Sequence, residues 1–206
     1  MSLVRKHTAL LLVEGFTEVE FYNSLADKKF KSVTKKIKNL EGNFNINAKI
    51  IDAAYNFSQQ NDDSNFDVYV CVDQERVGSP PFNYEYVVSE IQKLERFKTL
   101  HPVIANIMIE SLFFIDIDGI YNFLRAKHST RNPKKYTNFR ILRHQDLSKV
   151  FKTYGSSYSK GKKCQGLVNS LDLEKIIKAA SEISSLIELV NSKGKGKTES
   201  SSKKGK

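Results

Sequence analysis

The sequence predicts an α/β sandwich: a mostly parallel four-stranded sheet flanked by helices, with more helices after it. Three observations lead there. Apolar runs of strand length alternate with segments of helical period over the first 110 residues. The run at 8–13 is apolar almost throughout, as in strands covered on both faces of a parallel sheet. Strands separated by helices pair in parallel through right-handed crossovers.

The elements follow in order. Residues 8–13 form the first strand, and 17–28 a helix with Val19, Phe21, Tyr22 and Leu25 mostly along one face. Thr17 is its expected N-cap, with Glu18 and Glu20 in the positive first turn. The basic stretch 28–38 (KKFKSVTKKIK) has few apolar positions and reads as surface loop or helix end. Residues 46–51 are the second strand, and the polar stretch 56–65 is a loop or short exposed helix. The third strand, 66–72, stops at Asp73. Gly78-Ser79-Pro80-Pro81 then breaks the chain, and 84–97 is helical through Val87, Val88, Ile91 and Leu94. A fourth strand at 102–109 runs into Glu110, and 111–124, 147–154 and 171–190 read as helices. The chain divides into a sheet-bearing domain (1–125), a helical extension packed on it (126–190) and a lysine-rich tail (191–206), with no internal repeat.

Charge and composition narrow the function. The 206 residues carry a formal net charge of +10, which favours partners with phosphate or an anionic surface. The segment 193–206, with six Lys and one Glu, supplies +5 of it and holds no apolar residue. It is expected to be disordered, either a non-specific nucleic-acid arm or a solubilising end. Cys71 and Cys164 offer neither a disulfide framework nor zinc spacing, and the expected setting is a reducing cytoplasm. Arg5, Lys6 and His7 precede an apolar run too short for a signal peptide or a membrane span.

Three of the four expected strands end on an acid: Val13 runs into Glu14, Val72 into Asp73 and Ile109 into Glu110. Ligands of open parallel sheets bind outside the carboxyl ends of the strands, so these acids are expected to gather on one edge. Glu18 lies one helical turn past Glu14, and Asp73-Gln74-Glu75 is an Asp-x-Glu. Such a cluster repels itself unless it holds a cation, and oxygen-only ligands select Mg²⁺, Mn²⁺ or Ca²⁺. Two ions ~4 Å apart would clamp the attacking and leaving oxygens of a phosphodiester. Taken singly, each acid also fits a cap or a solvated turn.

An apolar strand, Glu14-Gly15, a helix opening Thr17-Glu18-Val19-Glu20-Phe21, and a later strand ending in Asp73-Gln74-Glu75 together resemble the TOPRIM domain. The match is closest to the small stand-alone and OLD-like (overcoming lysogenization defect) TOPRIM nucleases. The resemblance implies a Rossmann-like TOPRIM fold over roughly 8–125 and an Mg²⁺- or Mn²⁺-dependent endonuclease. It implies that Glu14 is the general acid/base or a metal ligand, that Asp73 and Glu75 are metal ligands, and that Glu18 and Glu110 serve a second ion. Tyr158-Ser159-Lys160 resembles a Tyr-x-Lys of these proteins, which implies that Lys160 neutralises developing phosphate charge. Glu75 stands where many members carry Asp. Such proteins resemble effectors of bacterial anti-phage systems, often beside a separate ATPase subunit of the ABC or OLD type.

The basic stretch 125–143, with Lys127, Arg131, Lys134 and Lys135 among Tyr136 and Phe139, suits a phosphate backbone with stacked bases, or else a solvated loop. Arg76 pairs with Glu75 or meets a phosphate. His101 reads as a turn residue, and Asp116 and Asp118 as surface acids of a helix. No Walker-type phosphate loop surrounds Gly161, so an ATPase of its own is unsupported. The rival reading is a non-catalytic nucleic-acid-binding or assembly module with a structural ion. The oligomeric state stays open, a homodimer included.

Overall fold

The computed structural model describes residues 6–31, 33–74, 80–105 and 108–194. Glu75, Arg76 and the tail from 195 onward lie outside the described residues. The chain begins with strand β1 (Lys6–Val13), helix α1 (Phe16–Lys29), strand β2 (Thr34–Asn39) and helix α2 (Ile46–Gln60). Strand β3 (Ser64–Asp73), helix α3 (Tyr84–Ile91) and strand β4 (Phe97–Ala105) complete the sheet. Then come α4 (Ile109–Phe113), α5 (Ile117–Phe123), α6 (His144–Thr153), α7 (Gln165–Ser170), α8 (Leu173–Ala179) and α9 (Ser181–Gly194).

The four strands are all parallel, in the order β2-β1-β3-β4. The fold is therefore α/β and Rossmann-like, as the sequence predicts. β1 and β3 are central, paired from Lys6 with Ser64 to Val13 with Cys71, and buried along nearly their whole length. Leu10, Leu12, Val68 and Val70 face α2 and α3, packing on Ile50, Phe57, Val87 and Ile91. Ala9, Leu11, Val13, Tyr69 and Cys71 face the other way, into one apolar cluster with α1 and α4 to α9. That cluster runs unbroken from Ala9 to Val190, so the extension shares the core of the sheet.

Several elements depart from expectation. The second strand is β2 inside the basic stretch, and the expected strand at 46–51 opens α2 instead. Ile46, Ile50, Ala53, Ala54 and Phe57 repeat at helical spacing over 15 residues, which outweighs a short apolar run. β2 is an edge strand, where lysines are tolerated and guard against edge-to-edge pairing, so Ile37 suffices to seat it. β4 begins at Phe97 and ends at Ala105, so Ile109 and Glu110 belong to the first turn of a helix. Pro102 is accommodated because β4 is the other edge.

Two residues also depart from expectation. His101 lies within β4, its ring stacked on Tyr69 with centroids 4.9 Å apart. Asp116 is buried, accepts a hydrogen bond from the Asp172 backbone N–H at 2.9 Å, and pairs with Lys175 at 3.2 Å. Asp118 alone of that pair is exposed. Both cysteines are buried free thiols. Among the described residues no helix is long and apolar enough to cross a membrane.

Candidate functional site

The strand order reverses direction between β1 and β3: β2 lies outside β1, while β3 and β4 lie on the other side. Crevices at such switch points are where open α/β sheets hold ligands. Val13 pairs with Cys71, so the chain leaves β1 at Glu14 beside the end of β3 at Asp73. Two acids fifty-nine positions apart thus become neighbours. A cleft of about 310 Å³ opens there, lined by Glu14, Gly15, Glu18, Asp73 and Lys160, with Phe16, Thr17, Gly42 and Gly161.

Glu18 enters from the first turn of α1, whose N-cap is Gly15 rather than the expected Thr17. Gly15 has extended dihedrals that any residue can adopt (φ −147°). Its lack of a side chain matters for a different reason: a Cβ there would stand 3.0 Å from Glu18 Oε2. The glycine makes room for the carboxylate to fold back over the strand end.

The acids feel one another. Burial first, then the charges of Glu110 and Glu14, pushes Glu18 up to about 7. Burial again, with the charges of Glu18, Glu14 and Glu110, pushes Asp73 up to about 9, against the pull of a hydrogen bond from the Ile109 N–H at 3.1 Å. That bond also caps the first turn of α4 and ties β3 to the helix carrying Glu110.

Glu110 is 1 % exposed. Its Oε1 accepts the Tyr158 hydroxyl at 3.1 Å and lies 3.4 Å from Lys160 Nζ, while Oε2 has no hydrogen-bond partner among the described residues. Lys160, 56 % exposed, therefore bridges the buried acid and the mouth of the cleft.

The turn bearing Tyr158 and Lys160 comes from the extension and is fixed by a residue that sequence reasoning assigned to capping. Thr17, buried in the first turn of α1, accepts the Gly161 N–H on its hydroxyl at 3.0 Å. Gly161 is left-handed (φ +82°), and a Cβ on it would lie 3.3 Å from Phe16 Cβ. Nothing local in either segment announces a contact across 144 positions.

Of the acids expected at the site, Glu14, Glu18, Asp73 and Glu110 come together with Lys160, and Glu75 lies outside the described residues. The basic residues Lys127, Arg131, Lys134 and Lys135 do not line the cleft. Lys127, Lys134 and Lys135 are exposed between α5 and α6. Arg131 is turned inward, donating to the Ala126 carbonyl at 2.9 and 3.1 Å with its guanidinium 5.7 Å from the Tyr121 ring centre.

The donors at the cleft are hard oxygens, and burial with mutual repulsion raises two of the acids. Both features, and the orphaned oxygen of Glu110, suit a divalent cation such as Mg²⁺ or Mn²⁺. Among the described residues, however, no three His, Cys, Asp or Glu side chains stand as a ready-made ligand group. The carboxylates are near enough to interact and would have to turn to share an ion. The chain matches no protein-family model, no curated protein and no solved structure.

Proposed function

We propose that the chain is a divalent-metal-dependent nuclease of TOPRIM type that cleaves phosphodiester bonds in DNA or RNA. One observation carries the reading: Glu14, Glu18, Asp73 and Glu110 interact at the switch point of a parallel sheet, with Lys160 at the rim. Asp73, Glu14 and Glu18, with Glu75 by resemblance, would hold Mg²⁺ or Mn²⁺. The ion would supply positive charge to the scissile phosphate and make water a better nucleophile.

The protein's own groups do the rest. Glu14, at the end of a central strand, would either hold the ion or exchange a proton with the attacking or leaving oxygen. Lys160 balances charge that develops on the phosphate, and Glu110 with Tyr158 keeps its ammonium at the cleft. By the same resemblance, the chain acts in the cytoplasm beside a separate ATPase subunit, as an effector of anti-phage defence.

The test is nicking of plasmid DNA and of structured RNA by the purified chain. Cleavage should need Mg²⁺ or Mn²⁺ and disappear in Glu14→Ala and in Asp73→Ala, with circular dichroism unchanged. A second reading is a non-catalytic nucleic-acid-binding or assembly module; the lack of a ready-made ligand group among the described residues favours it over metal-dependent cleavage. It predicts no cleavage, and nucleic-acid binding that survives both substitutions.

A further inference from the structure

The edge of the sheet that carries the acids also carries most of the exposed aromatic surface. Seven large apolar side chains are exposed among the described residues, and Phe16, Phe44, Tyr84 and Tyr86 all follow the carboxyl end of a strand. Sheet order sets their connections side by side: Phe44 after β2, Phe16 after β1, and Tyr84 and Tyr86 at the start of α3 after β3. Adjacent strands lie about 4.8 Å apart, so these connections leave the sheet close to one another.

Phe44 is the most exposed, at 78 %. Its loop is held in shape. The Leu40 N–H donates to the Val13 carbonyl at 2.8 Å and the Gly42 N–H to the Glu14 carbonyl at 2.7 Å, fastening the loop to the strand end that carries the catalytic candidate. Lys49 Nζ donates to the carbonyls of Glu41 and Gly42 at 2.9 and 3.1 Å. Glu41 (φ +57°) and Asn45 (φ +53°) are left-handed without being glycine, a conformation that persists only where the surroundings impose it. A loop fixed this firmly keeps a phenyl ring in water. Phe16, 46 % exposed, lines the acidic cleft itself, and Gly42 of the Phe44 loop lines the same cleft. A second groove, of about 600 Å³, is lined by Ile46, Pro81, Phe82 and Tyr84.

We infer that unpaired bases of a single-stranded nucleic acid stack on Phe16 and Phe44 while the backbone between them passes the carboxylates and Lys160. The inference rests on the proposal that this cleft acts on nucleic acid, and it names the substrate form. Every base offers a flat π face, so stacking tolerates any sequence. A paired base inside a duplex keeps its faces covered and reaches such rings only when flipped out. The net charge of +10 and Lys160 at the rim suit a polyanion better than an apolar peptide.

The chain contains no tryptophan, so Phe44→Trp and Phe16→Trp each install a single reporter. Binding is followed with Ca²⁺ in place of Mg²⁺ or Mn²⁺, so that a hard cation offsets the carboxylates without the ion that cleavage is proposed to need, with a labelled oligothymidylate, an abasic strand of equal length and a duplex of equal length. Oligothymidylate should quench either reporter and bind more tightly than the other two. Phe44→Ala and Phe16→Ala should each weaken it roughly tenfold and leave the abasic strand unchanged. Equal binding of thymidylate and abasic strands, wild-type affinity in the alanine variants, or no nucleic-acid binding would each overturn the inference. The last result would leave the rings to a protein partner. Because cleavage is absent from the measurement, loss of the nuclease reading alone leaves this result standing. A nuclease that ignores Phe44 would sink only the stacking.

Discussion

The burial of neighbouring acids in the cleft has a thermodynamic signature independent of any assay for cleavage. Glu18 is 8 % exposed, and burial together with Glu110 and Glu14 moves its carboxyl from an ordinary 4.5 to about 7. At about 1.4 kcal/mol per pH unit, keeping it ionised in the folded state costs roughly 3 kcal/mol. A raised acid stabilises the fold fully below its unfolded value. That stability drains as pH rises through the folded value, here between about 4.5 and 7, and no more is lost above. For a chain of this size about 1 kcal/mol moves Tm by roughly 2–4 °C. Glu18→Gln removes the charge at nearly constant volume. In EDTA the variant should therefore melt roughly 6–10 °C above wild type at pH 8 and close to it at pH 4.5. Mg²⁺ should raise the wild-type Tm at pH 8 and narrow the gap. Scanning calorimetry at the two pH values decides it. A gap that does not change with pH, or a variant that melts below wild type at pH 8, would refute the raised carboxyl of Glu18.

Two further outcomes follow from named contacts. Thr17→Val leaves the Gly161 N–H without its acceptor and loosens the turn that brings Lys160 to Glu110. Single-turnover cleavage should fall about tenfold or more, and Thr17→Ser, which keeps the oxygen, should restore it. Equal rates in the two variants would contradict the positioning role. At the opposite end of the sheet, Asp67 is fully buried, 2.9 Å from His7 Nε2 and 3.6 Å from Lys193 Nζ. Burial alone raises its carboxyl, but the His7 hydrogen bond and the electrostatic pull of His7, Lys193 and His101 outweigh it and hold the group below its ordinary 3.8. Its contribution is thus present above that ordinary value and lost as pH falls through the folded value. Asp67→Ala should cost about 3 kcal/mol in urea unfolding at pH 7 and progressively less as pH falls below 3.8. A loss that does not change with pH would mean the cavity, not the charge, matters.

What the sequence discloses about this fold depends on where each element sits. β1 and β3 are covered on both faces, so Leu10 to Val13 and Val68 to Val72 read as nearly unbroken apolar runs, and the acids that end them are visible at once. β2 is an edge strand seated by Ile37 among lysines, and local pattern cannot separate it from a loop. α2 starts with an apolar turn that imitates a strand until Ala54 and Phe57 are counted with it. Glu110 is legible as an acid after an apolar run, but not its place in a helix, because β4 ends at Ala105. Thr17 carries a capping signature and spends its hydroxyl elsewhere, on a glycine that only the folded extension delivers. Phe44 resembles a loop residue of no consequence until the parallel pairing of β2 with β1 brings its loop, through Gly42, to Glu14.

The same dependence explains why the extension cannot be an ornament of the site. Tyr158 and Lys160 are the extension's contribution to the cleft, yet a net hydrogen bond contributes only about 1 kcal/mol and an exposed ion pair less still. Three such contacts, Thr17 to Gly161, Tyr158 to Glu110 and Lys160 to Glu110, would not by themselves hold a turn against the entropy of a free loop. The residues that follow do hold it. Leu167, Val168, Ile176, Ile183, Leu186 and Val190 are all buried in the cluster that includes Leu11, Phe21 and Leu25, and each fully buried side chain of this size contributes about 1.5–3 kcal/mol. Apolar packing fixes the extension against α1, and the polar contacts only choose the register in which its turn meets the carboxylates. α1 is therefore the common wall: its outer turns anchor the extension, and its first turn supplies Thr17 to the turn and Glu18 to the cleft.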